Sequence, residues 1–131
     1  MDWIAKSSVV GIGGFLGANL RYWLGGWVQS RLSLTFPWQT LIINVSGSIL
    51  IGLFMGLALS ENWSSNWRLF VAIGILGGYT TYSTFSYETV KLLEDRSYGE
   101  AAFYSLGTAV LSVVGAFVGL VLARALTRGA A

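Results

Sequence analysis

Hydrophobic and polar positions along this chain sort into four long apolar stretches. The third is interrupted at its centre by Gly77-Gly78-Tyr79-Thr80-Thr81-Tyr82-Ser83-Thr84-Phe85-Ser86, a run of small and hydroxyl residues. No charged residue falls within 32–60, 69–87 or 101–123. Each run can cross a hydrocarbon core about 30 Å thick, for which about 20 residues suffice. The stretch from Ser7 to Ser30 matches in length but contains Arg21. The pattern predicts transmembrane helices near 5–29, 37–60, 68–94 and 99–125, the third broken. This is an all-α membrane protein, a single four-helix domain over 1–131. A glycine pair loosens the helical hydrogen-bond ladder. At membrane depth the freed carbonyls and amides must face protein, water or an ion, so the break is a candidate functional centre.

Small and polar positions refine the helices. Gly13 and Gly17, Gly52 and Gly56, and Gly115 and Gly119 share a four-residue spacing that puts small surfaces on one face and lets backbones approach. A nucleotide loop is excluded, since Leu16 stands where the third glycine of a G-x-G-x-x-G string belongs and no strand precedes it. Pro37 opens the second helix, where its missing amide costs nothing. Asn44 and Ser48 then share a face; a buried Asn in lipid is either interhelical glue or a pathway donor. Tyr104, Thr108 and Ser112 form a hydroxyl stripe on the fourth helix, either a polar track or hydroxyls bonded back to their own helix.

Composition agrees with a lipid environment: 11% of residues are charged and 54% apolar, against about 25% charged in soluble domains. The apolar run of the first helix continues through Trp23 and Trp27 without a small-residue cleavage site, so that helix is expected to remain in the mature protein. A net charge of +2 without a basic run gives no footprint for nucleic acid, leaving membrane lipid as the large partner. Four spans put Lys6, Arg68, Arg124 and Arg128 on one side and Arg31, Lys91 and Arg96 on the other. So even a distribution does not fix one orientation, and the expectation is insertion both ways and an antiparallel homodimer; an ordinary weak bias is the alternative.

The chemistry is narrowed by what is missing. The chain has no His and no Cys, and its carboxylates fall at or beyond the span ends, so no enzyme is expected. Proton-coupled transport, which runs on buried Asp or Glu, is disfavoured for the same reason. Passive conduction fits better. The helices retain hydroxyl and amide donors, Arg21 and aromatic rings, which serve anions. Tyr82 and Phe85 share a face, and the positive edge of a ring attracts an anion without a full charge; packing is the other role open to each ring.

Gly13-Gly14 through Gly17-Ala18-Asn19-Leu20-Arg21-Tyr22, Asn44 with Gly47, and above all the 77–86 string resemble the Fluc (CrcB) fluoride channels over nearly the whole chain. The resemblance implies a dual-topology antiparallel homodimer in the inner membrane of a microbial cell, with two pores that release fluoride down its gradient. It implies a structural Na⁺ at the dimer interface, held by the backbone carbonyls of Gly77 and Thr80. It assigns Tyr82 and Phe85 to an aromatic box, Asn44 to a pore-side donor, and Tyr104, Thr108 and Ser112 to the polar track, with Ser83 counted in the pathway. It places Arg21 at the aqueous vestibule. The family usually carries Phe at position 82. The Tyr82 hydroxyl either bonds fluoride and holds it longer or turns the ring edge away; the fold is expected unchanged, and conduction is put in question, in the direction of reduction. Two other readings compete with this one: a small dual-topology multidrug exporter, which needs a membrane-embedded carboxylate, and a non-transporting assembly subunit, which leaves the broken third helix unexplained.

Overall fold

The computed structural model describes residues 2–32 and 35–128; residues 1, 33, 34 and 129–131 of the expected domain lie outside the described residues. All regular structure among the described residues is helical. Helix α1 (Asp2–Arg31) is followed by α2 (Trp38–Ser60) and a short α3 (Ser65–Arg68). α3 runs on as a wide π-helical segment (Leu69–Leu76) and a last turn, α4 (Gly77–Tyr79). After Thr80 and Thr81 come α5 (Tyr82–Glu94) and α6 (Tyr98–Arg128). By length and composition α2 and α6 qualify as membrane spans.

Two glycine-mediated pairings build the bundle. On α1, a Cβ at Gly13 would stand 2.9 Å from the Gly74 Cα, and one at Gly17 2.8 Å from the Ile75 carbonyl carbon, so α1 lies directly on the π segment. On α2 and α6, Gly52 meets the Ala116 backbone, Gly56 meets Ala123, and Gly119 meets the backbone of Ile49 and Leu53. All three spaced pairs therefore serve close helix approach, where dispersion and backbone proximity replace the hydrophobic drive that lipid removes.

Larger side chains pack at one end. Phe36, Leu41, Leu92, Ala101 and Tyr104 form a buried cluster with Trp38, Ile42, Val45 and Phe85 against it. Phe15, Trp23, Leu106, Val113, Phe117 and Leu126 instead point outward, an apolar exterior that requires a lipid or protein neighbour. Helices α2 and α5 close in the same way: Asn62 (φ 51°) and Arg96 (φ 58°) adopt the left-handed conformation. The amides of Trp63 and Ser97 then bond back to Ala58 and Leu92 at 3.0 and 2.9 Å, as in a Schellman motif.

Candidate functional site

The interruption of the third segment falls three residues later than the glycines suggest. Gly77 and Gly78 are helical, and the chain extends at Thr80 (φ −79°, ψ 161°) and Thr81 (φ −151°, ψ 119°). Gly78 is needed for space instead: a Cβ there would come within 2.6 Å of the Gly14 carbonyl oxygen on α1. The break follows from competition for backbone groups. The Thr81 amide, which a continuous helix would give to the Gly77 carbonyl, donates to Asn44 Oδ1 at 2.8 Å. Asn44 Nδ2 donates in return to the Thr81 carbonyl at 2.9 Å. The Thr84 amide, due to the Thr80 carbonyl, goes to Thr81 Oγ1 at 3.3 Å, an N-cap for α5.

The backbone carbonyls of Gly77 and Thr80 are thereby released from their helical donors, and those of Gly78 and Tyr79 likewise receive no amide from Tyr82 or Ser83. Hard oxygens of this kind are the ligands an alkali or alkaline-earth cation takes. The Thr80 carbonyl is also reached by Arg21 Nη1 at 3.5 Å, and its second lone pair remains for another partner.

Clefts lie on both sides of the break, and Thr81 lines both. The first, of about 530 Å³, has no charged residue in its lining; it brings together Asn44, Ser48, Gly77, Thr80, Tyr82, Phe85, Thr108 and Ser112. The second, of about 590 Å³, holds Arg21 with Gln39, Thr40, Thr81 and Thr84. Tyr82 is 80% exposed, and its ring lies 5.5 Å from that of Phe85, tilted by 46°. Phe85 in turn sits 5.3 Å from Tyr104.

Within the hydroxyl stripe of α6 the members differ. Thr108 is 5% exposed, and its Oγ1 is fully buried with no hydrogen-bond partner. Thr108 and Ser112 face the first cleft, whereas neighbouring Ser105 bonds back to the Ala101 carbonyl at 2.8 Å. Tyr104 does not reach the cleft. It is 0% exposed, and its hydroxyl donates to Glu88 Oε2 at 2.6 Å. Ser83 also stays outside, exposed, with its Oγ 3.5 Å from Thr81 Oγ1.

Glu88 is the feature the sequence understates. Although near the end of its segment, it is only partly exposed and is drawn between helices, accepting from Thr40 on α2 as well as from Tyr104 on α6. Thr40 lines the Arg21 cleft, and Glu88 lines a third cleft of about 220 Å³ with Gln39, Lys91 and Asp95. Their 3.1 Å bond therefore stands between the two. Thr40 carries no signal of its own in an uncharged run, and only the fold brings it to Glu88.

The family model described as "CrcB-like protein, Camphor Resistance (CrcB)" matches residues 8–120 of the chain. A Thermus thermophilus protein named "Fluoride-specific ion channel FluC" is 48% identical over 123 residues, covering 94% of this chain and 97% of the relative. "Fluoride-specific ion channel FluC 2" of Nitrobacter hamburgensis is 47% identical over 120 residues, covering 91% and 97%. The protein named "Fluoride-specific ion channel FluC" in Agrobacterium fabrum is 42% identical over 118 residues, covering 89% and 94%. With a family match through the break, both clefts and most of α6, and with relatives matched over nearly their full length, this chain belongs to the CrcB family.

Proposed function

We propose that the protein is a fluoride channel that lets the ion leave the cell passively across its inner membrane. The observation that carries this reading is the buried, unpartnered hydroxyl of Thr108, a residue that lines an uncharged cleft. A hydroxyl in that position costs free energy unless something accepts from it, and a small anion does. Asn44 keeps one Nδ2 proton beyond the bond to Thr81, and Ser112, Phe85 and Tyr82 supply further donors and ring edges along the same wall. Fluoride, small and strongly hydrated, exchanges its water shell for such donors, and a site without a full charge releases it quickly enough for conduction. Arg21, at the opposite side of the break, draws anions into the second cleft.

The working unit in this reading is an antiparallel homodimer of four-span chains inserted in both orientations, with two pores. The near balance of cationic residues between the two sides and the apolar exterior support it. The carbonyls of Gly77 and Thr80, freed from their helical donors, fit a structural Na⁺ at the dimer interface; its role is to hold the two breaks together.

The test is fluoride efflux from proteoliposomes, read with a fluoride electrode after adding a K⁺ ionophore, beside chloride-loaded vesicles. Rapid ionophore-dependent fluoride efflux with silent chloride is expected. No efflux of either ion would return the chain to an exporter or assembly role.

A further inference from the structure

We infer that Ser48 is a fluoride-contacting residue, a third hydroxyl donor that extends the wall of the first cleft from Thr108 and Ser112 on α6 onto the adjoining α2. The inference rests on the channel reading above and extends it to a residue on another helix.

The case begins with how this chain uses its hydroxyls. In an apolar helix the carbonyl one turn back is the nearest acceptor, and Ser and Thr ordinarily take it. Ser60, Ser86, Thr89, Ser105 and Thr127 all do so, at 2.8, 3.0, 2.8, 2.8 and 3.2 Å. Ser46, two residues before Ser48, donates to the Ile43 carbonyl at 3.1 Å and meets the Tyr79 hydroxyl at 2.9 Å. Ser48 makes no hydrogen bond to any described residue, and neither does Ser112. Thr108 is likewise unpartnered at full burial. All three line the first cleft, which has no charged residue in its lining. Part-buried and buried unspent hydroxyls on the helices are thus gathered at this cleft, while the unpartnered Ser7 and Ser65 are exposed near helix ends.

Position strengthens the case. Ser48 follows Asn44 by one turn and shares its face. An ion moving from the spare Asn44 donor toward Ser112 therefore meets a donor on α2 as well as those on α6. The small side chain suits the site, because a hydroxyl on a single carbon adds a donor without narrowing the cleft.

The experiment compares wild type, Ser48→Ala and Ser48→Cys in the proteoliposome assay over a series of internal fluoride concentrations. Elution as a folded species and thermal unfolding are recorded for each. Since Ser48 has no partner among the described residues, Ser48→Ala is expected to unfold like wild type while its fluoride efflux falls about tenfold, the cost of one bond to a charged acceptor. Ser48→Cys, with the same shape and a weak donor, falls between the two. If Ala does not fold, the Cys variant alone decides, with efflux below wild type supporting the assignment. Either variant folded and conducting at the wild-type rate overturns it, and so does Cys no faster than Ala. A silent wild type refutes the channel reading itself, which separates the two failures.

Discussion

Removing the Asn44 side chain is the most direct probe of why the third segment is broken. Asn44→Ala deletes two bonds at 2.8 and 2.9 Å from a residue only 9% exposed, leaving the Thr81 amide and carbonyl without partners. Interhelical hydrogen bonds in membrane proteins average about 0.6 kcal/mol each, which sets a lower figure of about 1.2 kcal/mol. Orphaned buried groups cost about 1–3 kcal/mol each, and a middle value for two sets an upper figure of about 4 kcal/mol. The expected loss is therefore about 1 to 4 kcal/mol. Asn44→Asp should lose more than Ala: it still accepts from the Thr81 amide, but it turns a carboxylate oxygen toward the Thr81 carbonyl and buries a charge. The assay is reversible unfolding in mixed micelles followed by tryptophan fluorescence, with fluoride efflux measured in parallel. An Asn44→Ala protein as stable as wild type would refute the idea that Asn44 holds the break open, because the amide would have found another partner at no cost.

Three further outcomes are expected. Gly17→Ala, whose Cβ would stand 2.8 Å from the Ile75 carbonyl carbon, should destabilise by about 1–3 kcal/mol, whereas Gly99→Ala, with nothing within 4 Å, should be neutral or slightly stabilising; equal unfolding of the two variants contradicts the α1 packing described here. Tyr82→Phe should leave stability within about 0.5 kcal/mol of wild type, the ring being 80% exposed, yet raise single-channel fluoride current; identical currents dismiss a role for the hydroxyl. Exchanging Na⁺ for N-methylglucamine throughout purification should lower both the unfolding temperature and the flux, and indifference to the exchange removes the cation from the proposal.

Much of the architecture is legible in the sequence because lipid leaves few options for a polypeptide backbone. Uncharged runs mark α2 and α6, and four-residue glycine spacing marks the faces that approach. The break is legible only to within a few residues. Glycine looks like the loosening element, but the decisive groups are the Asn44 amide and the Thr81 hydroxyl, which capture amides the helix would otherwise use. The Asn44 capture depends on a residue far away in the sequence, so no local pattern reveals it. Among the candidate residues, the face-sharing of Asn44 with Ser48, of Tyr82 with Phe85 and of Thr108 with Ser112 can be read from helical spacing, and the first cleft collects them. Tyr104 shows the limit of that method: spacing gives the face of a side chain, but the Glu88 carboxylate decides where its hydroxyl turns.

The two glycine-mediated pairings carry a consequence for biosynthesis. α1 lies on the π segment, and α2 lies on α6, so each partnership joins helices that are not neighbours in sequence. When the ribosome has delivered only the first two helices, neither has its glycine-matched partner. The first pairing forms once residues beyond Leu76 have emerged, and the second waits for nearly the whole chain. On the dual-topology reading proposed above, orientation is decided while the early helices are still unattached to their final mates, with little glycine-mediated packing to favour one direction. Flanking cations are what act at that stage on this reading, and the four-span topology divides them almost evenly between the two sides.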